Sequence, residues 1–206
     1  MSEKLTELTC TDFAARLASS EPVPGGGGAS ALCGALSAAL CAMAARLSRV
    51  GDPHLEELTA RADALRVRLL ELIDADAEGF APLAAAYAIP RSTPGRAEAL
   101  RAATLTACRA PMEMLRSAAE TAALLEALHP LCKPLLLSDV GCGATLCRAA
   151  MESAAMNVFV NTRSLPEEDA LPLEAEADAL LREWLPRADA LAAAVSGALR
   201  KERSHG

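Results

Sequence analysis

Residues 29–48 read ASALCGALSAALCAMAARLS, and this stretch decides the fold class of the chain. It is uncharged up to its third-last residue, and small residues recur at every fourth position, namely Ser30, Gly34, Ala38 and Ala42. Residues spaced by four lie on one helix face, where nearly bare backbone allows a second helix to approach closely. The pattern therefore predicts a helix at the centre of a bundle, or a helix whose small-residue face forms the seam of a homodimer.

The same stretch approaches the length of a membrane span. Its Ala, Gly, Ser and Cys residues transfer weakly into lipid, and no Trp or Tyr flanks it as an interfacial anchor. We therefore expect a buried helix and no membrane association.

The composition of the whole chain favours helices. Hydrophobic residues make up 52% of the 206 positions but aromatic residues only 2%, so Ala, Leu, Val, Met and Cys must fill the core. Neither strand-like alternation nor an internal repeat is found in the sequence. We predict a single all-α domain over residues 1–206, an antiparallel bundle of about six helices, some long and kinked by proline.

Charge and cysteine usage exclude several classes of function. A net charge of −7 leaves no basic excess to neutralise phosphates, so nucleic acid is not an expected partner. The seven cysteines include no C-x-x-C pair and favour reduced core residues over metal ligands. The first residues, MSEKLTELTCTDF, lack the pattern of a secretory signal, and we expect a cytoplasmic protein without a bound metal.

Capping and proline signals predict where the first helices lie. Thr9 and Asp12 have capping-box spacing at the start of a short helix over about 9–19. The segment EPVPGGGG at 21–28 cannot continue it, because proline lacks a donor and glycine carries an entropic penalty, so a second helix is expected from about Ala29.

Later helices are predicted from the same kind of signal. Asp52 with Pro53 opens a long third helix that ends before Pro90, and Pro111 should kink the fourth and free the carbonyl of Ala107. The predicted N-terminal signals of the fourth, fifth and sixth helices are Thr93 with Pro94, Ser138, and Ser164 with Glu167.

One residue of the third helix breaks its apolar pattern. Leu55, Ala62, Leu69 and Leu83 share a row with position 76, and Phe80 and Tyr87 continue the same face, but residue 76 is aspartate. A buried carboxylate without a partner has a raised pKa, which makes Asp76 a candidate general acid or base.

This hypothesis has one structural alternative. Asp76 can instead form a structural ion pair with an arginine of a neighbouring helix. Gly79 and Pro82 are expected to open a pocket beside Asp76 by removing bulk and bending the helix. Asp74 lies about 200° around the helix from Asp76 and is expected to be solvated.

Further polar residues have both structural and functional explanations. Asn157 and Asn161 are one helical turn apart and can read the edge of a heterocycle, or Asn161 can cap the helix end in left-handed conformation. Ser138 and Asp139 at a helix start are explained by capping alone. The glycines at 25–28 lead into a helix N-terminus that can bind an anion, or they form a flexible loop.

Four ordered segments carry a resemblance to a known family. They are PVPGGGGASALCGALSAALCAMAARLS, LIDADAEGF, LLSDVGCGA and AAMNVFVNT, at 22–48, 72–80, 136–144 and 154–162. In order and spacing the chain resembles the C-terminal domain of formiminotransferase-cyclodeaminase and stand-alone methenyltetrahydrofolate cyclohydrolases.

The resemblance implies an all-α fold, a homodimer or higher oligomer, and action on 5-formimino- or 5,10-methenyl-tetrahydrofolate without a metal or redox cofactor. It places the catalytic aspartate at Asp76. It implies that further residues line or support the substrate site, namely Gly25, Gly26, Gly27, Ser138, Asp139, Asn157 and Asn161.

The sequence is compatible with three functions. The first is a methenyltetrahydrofolate cyclohydrolase, the second a formiminotetrahydrofolate cyclodeaminase, and the third a non-catalytic helical dimer that binds folate or a partner protein. The family commonly has a Lys-Gly-Asn run before the third motif, where this chain reads LHPLCKPLLLSD. Lys133 or Arg49 is the expected substitute for the missing lysine.

Overall fold

The computed structural model describes residues 4–48 and 50–201, which form six α-helices and three short 3-10 turns and contain no β-strand. The 3-10 turns are Leu5–Glu7, His129–Leu131 and Pro134–Leu136. The α-helices are α1 (Cys10–Leu17), α2 (Gly26–Ser48), α3 (Pro53–Ala88), α4 (Arg96–Leu128), α5 (Leu137–Thr162) and α6 (Glu167–Lys201). The predicted all-α architecture is confirmed.

The small-residue face of α2 is buried inside its own chain. Ser30, Gly34, Ala38 and Ala42 are all buried. A Cβ added at Gly34 would lie 3.1 Å from a methyl group of Leu69 on α3 and 3.5 Å from the Cβ of Ala150 on α5. The small side chains thus let α2 pack closely between two neighbours, as a central helix does.

The prediction that this face forms a homodimer seam is therefore wrong. Helices α3 and α5 of the same chain already cover it, which leaves no surface there for a second copy. Within the described part of the chain, α2 is the one helix long and apolar enough to span a membrane, and most of it is buried in the bundle.

Helix α2 begins earlier than predicted. It starts at Gly26 instead of Ala29, so three glycines of the expected loop form its first turn. Helix α1 ends at Leu17, before the two prolines, and Gly28 packs against the side chain of Pro24, where an added Cβ would lie 3.1 Å from a proline carbon. Close packing of the first turn outweighs the low helix propensity of glycine.

Two predicted N-caps are confirmed. The Thr9 hydroxyl accepts a hydrogen bond from the backbone N–H of Asp12 at the start of α1. The Asp52 carboxylate accepts one from the N–H of His54, with Pro53 as the first residue of α3. Both satisfy backbone donors that have no partner within the helix.

Three predicted starts are wrong. Helix α4 begins after Gly95, which adopts φ +79°, and not at Thr93. Helix α5 follows the 3-10 turn Pro134–Leu136 directly, so Ser138 lies inside its first turn and does not cap it. The Ser164 hydroxyl donates to the carbonyl of Asn161 at the end of α5 instead of capping α6.

Buried thiols fill space in the core. Cys41, Cys108 and Cys147 are buried, and all seven cysteines are free. The Cys147 thiol donates to the carbonyl of Ala118, which ties α5 to α4. The interpretation as small core residues is confirmed for these three, but it is wrong for Cys10 and Cys142, which are exposed.

Helices α3 and α4 project beyond the end of α2. Asp76 lies against the first turn of α2, so the rest of α3 extends about 18 Å past it at the usual rise per residue. A separate small cluster of Leu83, Ala86, Ala103 and Ala107 holds the projecting hairpin together. Phe80 and Tyr87 are 36% and 56% exposed, contrary to prediction, because α2 no longer covers their face.

We expect Gly34→Leu to destabilise the folded monomer. The new side chain overlaps Leu69 and Ala150, and overpacking of this kind costs about 2–3 kcal/mol. Thermal denaturation should show a melting temperature lower by about 6 °C or more. Gly197→Leu on α6 is the matched control, because no heavy atom lies within 4 Å of a Cβ added there. Equal melting temperatures for the two variants would contradict this account of the core.

Candidate functional site

The carboxyl group of Asp76 lies directly against the first turn of α2. A Cβ added at Gly27 would be 2.3 Å from Oδ2, 2.4 Å from Oδ1 and 2.5 Å from Cγ of Asp76. No side chain larger than hydrogen fits at Gly27 without moving the carboxylate or the helix. The glycine run therefore allows a carboxylate from α3 to reach the backbone of α2.

Burial changes the acidity of Asp76. Desolvation raises the pKa of its carboxyl group from 3.8 to about 6, and a hydrogen bond from the backbone of Gly28 partly offsets this effect. The N-terminus of a helix also favours a negative charge. The group can therefore exchange a proton near neutral pH, as predicted for a general acid or base.

Asp76 makes no ion pair with any residue in ranges 4–48 and 50–201, although thirteen ion pairs link other groups there. Its pKa is shifted by burial and a backbone donor, with no cationic side chain among the causes. The alternative in which an arginine holds Asp76 as a structural pair is therefore wrong.

Asp74 has a structural role that the sequence did not indicate. Its carboxylate accepts a hydrogen bond from the N–H of Leu5 at 2.7 Å and another from the Thr6 hydroxyl at 2.6 Å. These bonds fix the first 3-10 turn against α3. The expectation that Asp74 is solvated is wrong, because the N-terminal segment folds back over this side of the helix.

Gly79 does not open a pocket beside Asp76. A Cβ added there would lie 3.6 Å from the carbonyl oxygen of Thr106 and 3.8 Å from the Cα of Ala107. The missing side chain instead allows α4 to approach α3. A groove of about 330 Å³ does border Gly79, but it lies between α3 and α4, and Asp76 does not line it.

Asn157 lies beside the same turn of α2. Its amide is 3.4 Å from the position of a Cβ added at Gly26, and its Nδ2 donates to the carbonyl of Ser153 at 2.8 Å. The structure thus brings Gly26, Gly27, Asp76 and Asn157 together from three helices. Gly25 precedes them and accepts the first backbone hydrogen bond of the helix, from Ala29.

Asn161 has a different partner. Its Nδ2 donates to the carbonyl of Ala107 at 3.4 Å. Pro111 has no N–H, so it leaves that carbonyl without its helical donor, as predicted. Asn161 is therefore explained by the proline in α4, and the left-handed cap considered for it is wrong because α5 continues to Thr162.

Ser138 and Asp139 lie at the opposite end of the bundle. Helix α5 separates Asp139 from Asn157 by about 27 Å, given the rise of an α-helix. Lys133 is also at that end, where its N–H donates to the Ser48 hydroxyl at the C-terminus of α2. The structure does not bring these three residues to Asp76 within one chain. Arg49 lies outside the described residues.

The prediction omitted one contributor, Gly28. The backbone of Gly28, in the same glycine run, forms a hydrogen bond with the carboxylate of Asp76. Had the sequence analysis placed the start of α2 at Gly26, Gly28 would have been recognised as a residue of its first turn. No group of three or more His, Cys, Asp or Glu residues that could hold a metal occurs in the part of the chain described.

Comparison with known proteins gives consistent matches. The family described as formiminotransferase-cyclodeaminase matches residues 9–179. The chain is 34% identical over 170 residues to a methenyltetrahydrofolate cyclohydrolase of Methylorubrum extorquens, covering 77% of this chain and 81% of that protein. It is 26% identical to the formimidoyltransferase-cyclodeaminase of Mus musculus, over 81% of this chain but only 32% of the mouse protein.

A solved structure has the same fold. The formiminotetrahydrofolate cyclodeaminase of Thermotoga maritima superposes with a TM-score of 0.80 at 26% sequence identity. The match covers 92% of this chain and 98% of that one.

We expect the titration of Asp76 to affect stability between about pH 4 and pH 6. The folded state has the higher pKa, so it binds more protons than the unfolded state in this window, and unfolding free energy falls as pH rises. Chemical denaturation should show wild type losing up to about 3 kcal/mol relative to Asp76→Asn across the window. A difference between the two proteins that is independent of pH would show that the carboxylate is not perturbed.

Gly27→Ala is expected to displace Asp76 and lower the unfolding free energy by about 2 kcal/mol, despite the better helix propensity of alanine. The neighbouring Gly26→Ala is the control, because its Cβ makes only ordinary contacts with Asn157. Denaturation curves give the stability of each variant, and the carboxyl carbon resonance of Asp76 reports its surroundings. An unchanged resonance in Gly27→Ala would be incompatible with the close approach.

Proposed function

The chain belongs to the formiminotransferase-cyclodeaminase family, and we propose that it is a methenyltetrahydrofolate cyclohydrolase, which hydrolyses 5,10-methenyl- to 10-formyl-tetrahydrofolate. The resemblance carried by the four sequence motifs is thereby confirmed. The match to the cyclohydrolase covers most of both chains, which favours this activity over that of the longer two-function relatives.

One observation carries the proposed mechanism: the half-buried Asp76 carboxylate lies against the first turn of α2 without a counterion in the described residues, and burial raises its pKa to about 6. The methenyl bridge is a delocalised cation over N5, the bridging carbon and N10. A desolvated carboxylate attracts that cation and can accept a proton from an attacking water. We assign both roles to Asp76.

The proposed reaction has two steps. Water oxygen bonds to the bridging carbon while Asp76 takes a water proton, which gives a neutral hydroxyl adduct. The bond between that carbon and N5 then breaks, its electron pair stays on N5, and N5 takes the proton from Asp76. The adduct hydroxyl loses its proton as the formyl carbonyl forms on N10, so one proton is released in total.

The surrounding residues have positioning roles in this proposal. Gly27 keeps the space that the carboxylate occupies, and the backbone of Gly28 holds one of its oxygens by a hydrogen bond. The amide of Asn157 beside Gly26 is suited to hydrogen bond the edge of the pterin ring. Gly25 immediately precedes this turn, and its carbonyl accepts the first backbone hydrogen bond of α2. We assign Asn161 a supporting role through Ala107.

A second candidate activity is that of a formiminotetrahydrofolate cyclodeaminase. The Thermotoga and mouse relatives carry names that favour it. In that reaction N10 attacks the formimino carbon, the bond from this carbon to the exocyclic nitrogen breaks, and ammonia leaves after protonation. Asp76 would then move a proton from N10 to the departing nitrogen.

Assembly and location belong to the same proposal. We infer a cytoplasmic homodimer that uses neither a metal nor a redox cofactor. Addition of water or loss of ammonia leaves the oxidation state of the one-carbon unit unchanged, so the reaction needs no electron carrier. The dimer interface would lie on a face other than the buried one of α2. Ser138 and Asp139 are kept as substrate-binding candidates only if a second chain supplies them.

Asp76→Asn should lower kcat for hydrolysis of methenyltetrahydrofolate by about 100-fold or more, because the amide cannot accept a proton. Loss of the methenyl absorbance gives the rate, and kcat/KM of wild type should rise through pH 6 as the carboxylate ionises. Asp74→Asn, on the same helix, is the control and should retain turnover.

Two results would contradict the proposal. Folded Asp76→Asn with full turnover would exclude the carboxylate as the base. A wild-type protein that neither consumes methenyltetrahydrofolate nor releases ammonia from formiminotetrahydrofolate would favour the non-catalytic alternative, a helical dimer that binds folate or a protein.

A further inference from the structure

A groove rich in arginine lies on the projecting end of the bundle. It encloses about 690 Å³ between the loop that joins α3 to α4, the first turns of α4 and the loop that joins α5 to α6. Its lining includes four arginines, Arg91, Arg96, Arg101 and Arg163, and one acidic residue, Glu98. Asp169 and Glu168 of α6 pair with Arg101, so the excess of positive charge in the groove comes from Arg91, Arg96 and Arg163.

Two of these arginines have partners. Arg101 is held by the Asp169 carboxylate of α6, and the Nε of Arg96 donates to the carbonyl of Ile89 at 2.7 Å. Arg91 and Arg163 are exposed, and their guanidinium groups make no hydrogen bond or ion pair within 4–48 and 50–201. The groove thus has two guanidinium groups available for an anion, on loops that the other two arginines help to fix.

The groove and the candidate site are at the same end of the bundle. Asn157 lies beside Gly26, and Arg163 follows the last residue of α5, about 9 Å further along the helix axis. In the same direction on α3, Phe80 is one turn beyond Asp76 and partly exposed. A ligand with its reactive end at Asp76 can therefore extend past Phe80 toward the groove.

We propose that this groove binds the glutamate tail of the folate substrate, with Arg91 and Arg163 pairing with its carboxylates. The inference rests on the proposed function. A folate has a pterin head, a flat p-aminobenzoyl spacer and an anionic glutamate tail, and a planar guanidinium matches a carboxylate by two parallel hydrogen bonds. Lys133, the substitute expected from the sequence, lies at the other end of the bundle and does not reach this ligand.

The test compares three substrates. They are methenyltetrahydrofolate with one glutamate, the same compound with three, and methenyltetrahydropteroate, which has the same reactive bridge and no glutamate. The double variant Arg91→Gln with Arg163→Gln should raise KM about ten-fold for both glutamylated substrates and leave kcat unchanged. KM for the pteroate should not change.

Arg182→Gln is the matched control, because Arg182 is an exposed arginine on α6, about 22 Å from the start of that helix. It should leave all three KM values unchanged. Inorganic phosphate should raise KM of wild type for the glutamylated substrates alone, because it competes for the same guanidinium groups. Circular dichroism and thermal melting verify that each variant is folded.

Equal KM values of wild type for the glutamylated and pteroate substrates would overturn the inference while leaving the proposed function intact. So would an equal rise in KM for all three substrates in the double variant. If wild type turns over none of them, calorimetric titration with 5-formyltetrahydrofolate still tests the groove. Binding weakened about ten-fold in the double variant alone would then support the groove without the enzyme, and equal binding would overturn it.

Discussion

The carboxyl group of Asp76 lies against the backbone of the first turn of α2, and the position of most other parts of the site follows from this contact. It requires glycine at position 27 and a helix that begins at Gly26, and it sets the level at which α3 extends beyond α2. A charged group this close to backbone is tolerated because the Gly28 N–H donates to it. Burial and the backbone donor oppose each other, and the balance gives a carboxyl group that titrates near neutral pH.

The contact can form because the bundle packs without large side chains. Glycine, alanine, serine and cysteine on α2 let α3 and α5 approach closely, so that Leu69 and Ala150 meet at Gly34. Close approach of backbones holds the register of α3 against α2, and the register places Asp76 at the first turn. The scarcity of aromatic residues is part of the same arrangement, since one ring in this interface would separate the helices.

The ends of the helices determine what surrounds the carboxylate. The N-terminus of α2 and the C-terminus of α5 lie near one level, and α3 and α4 continue beyond it. The loop between α3 and α4 and the loop between α5 and α6 line the arginine groove at that end. Pro111 and Asn161 belong to this arrangement, because the asparagine satisfies the carbonyl that the proline leaves without a donor and so joins α5 to α4. On the other side of α3, the Asp74 carboxylate accepts hydrogen bonds from the N-terminal 3-10 turn and so joins that turn to the helix.

The sequence by itself determined the helical class, the starts of α1 and α3 and the unusual carboxylate, because periodicity and capping depend on neighbours within one helix. It did not reveal that the small-residue face of α2 is covered from within, that Gly79 admits α4, or that Asp139 lies far from Asp76. Those facts depend on which helices pack together and in what register, and helices distant along the chain set both. Only the tertiary structure therefore decided which of the predicted residues share a site.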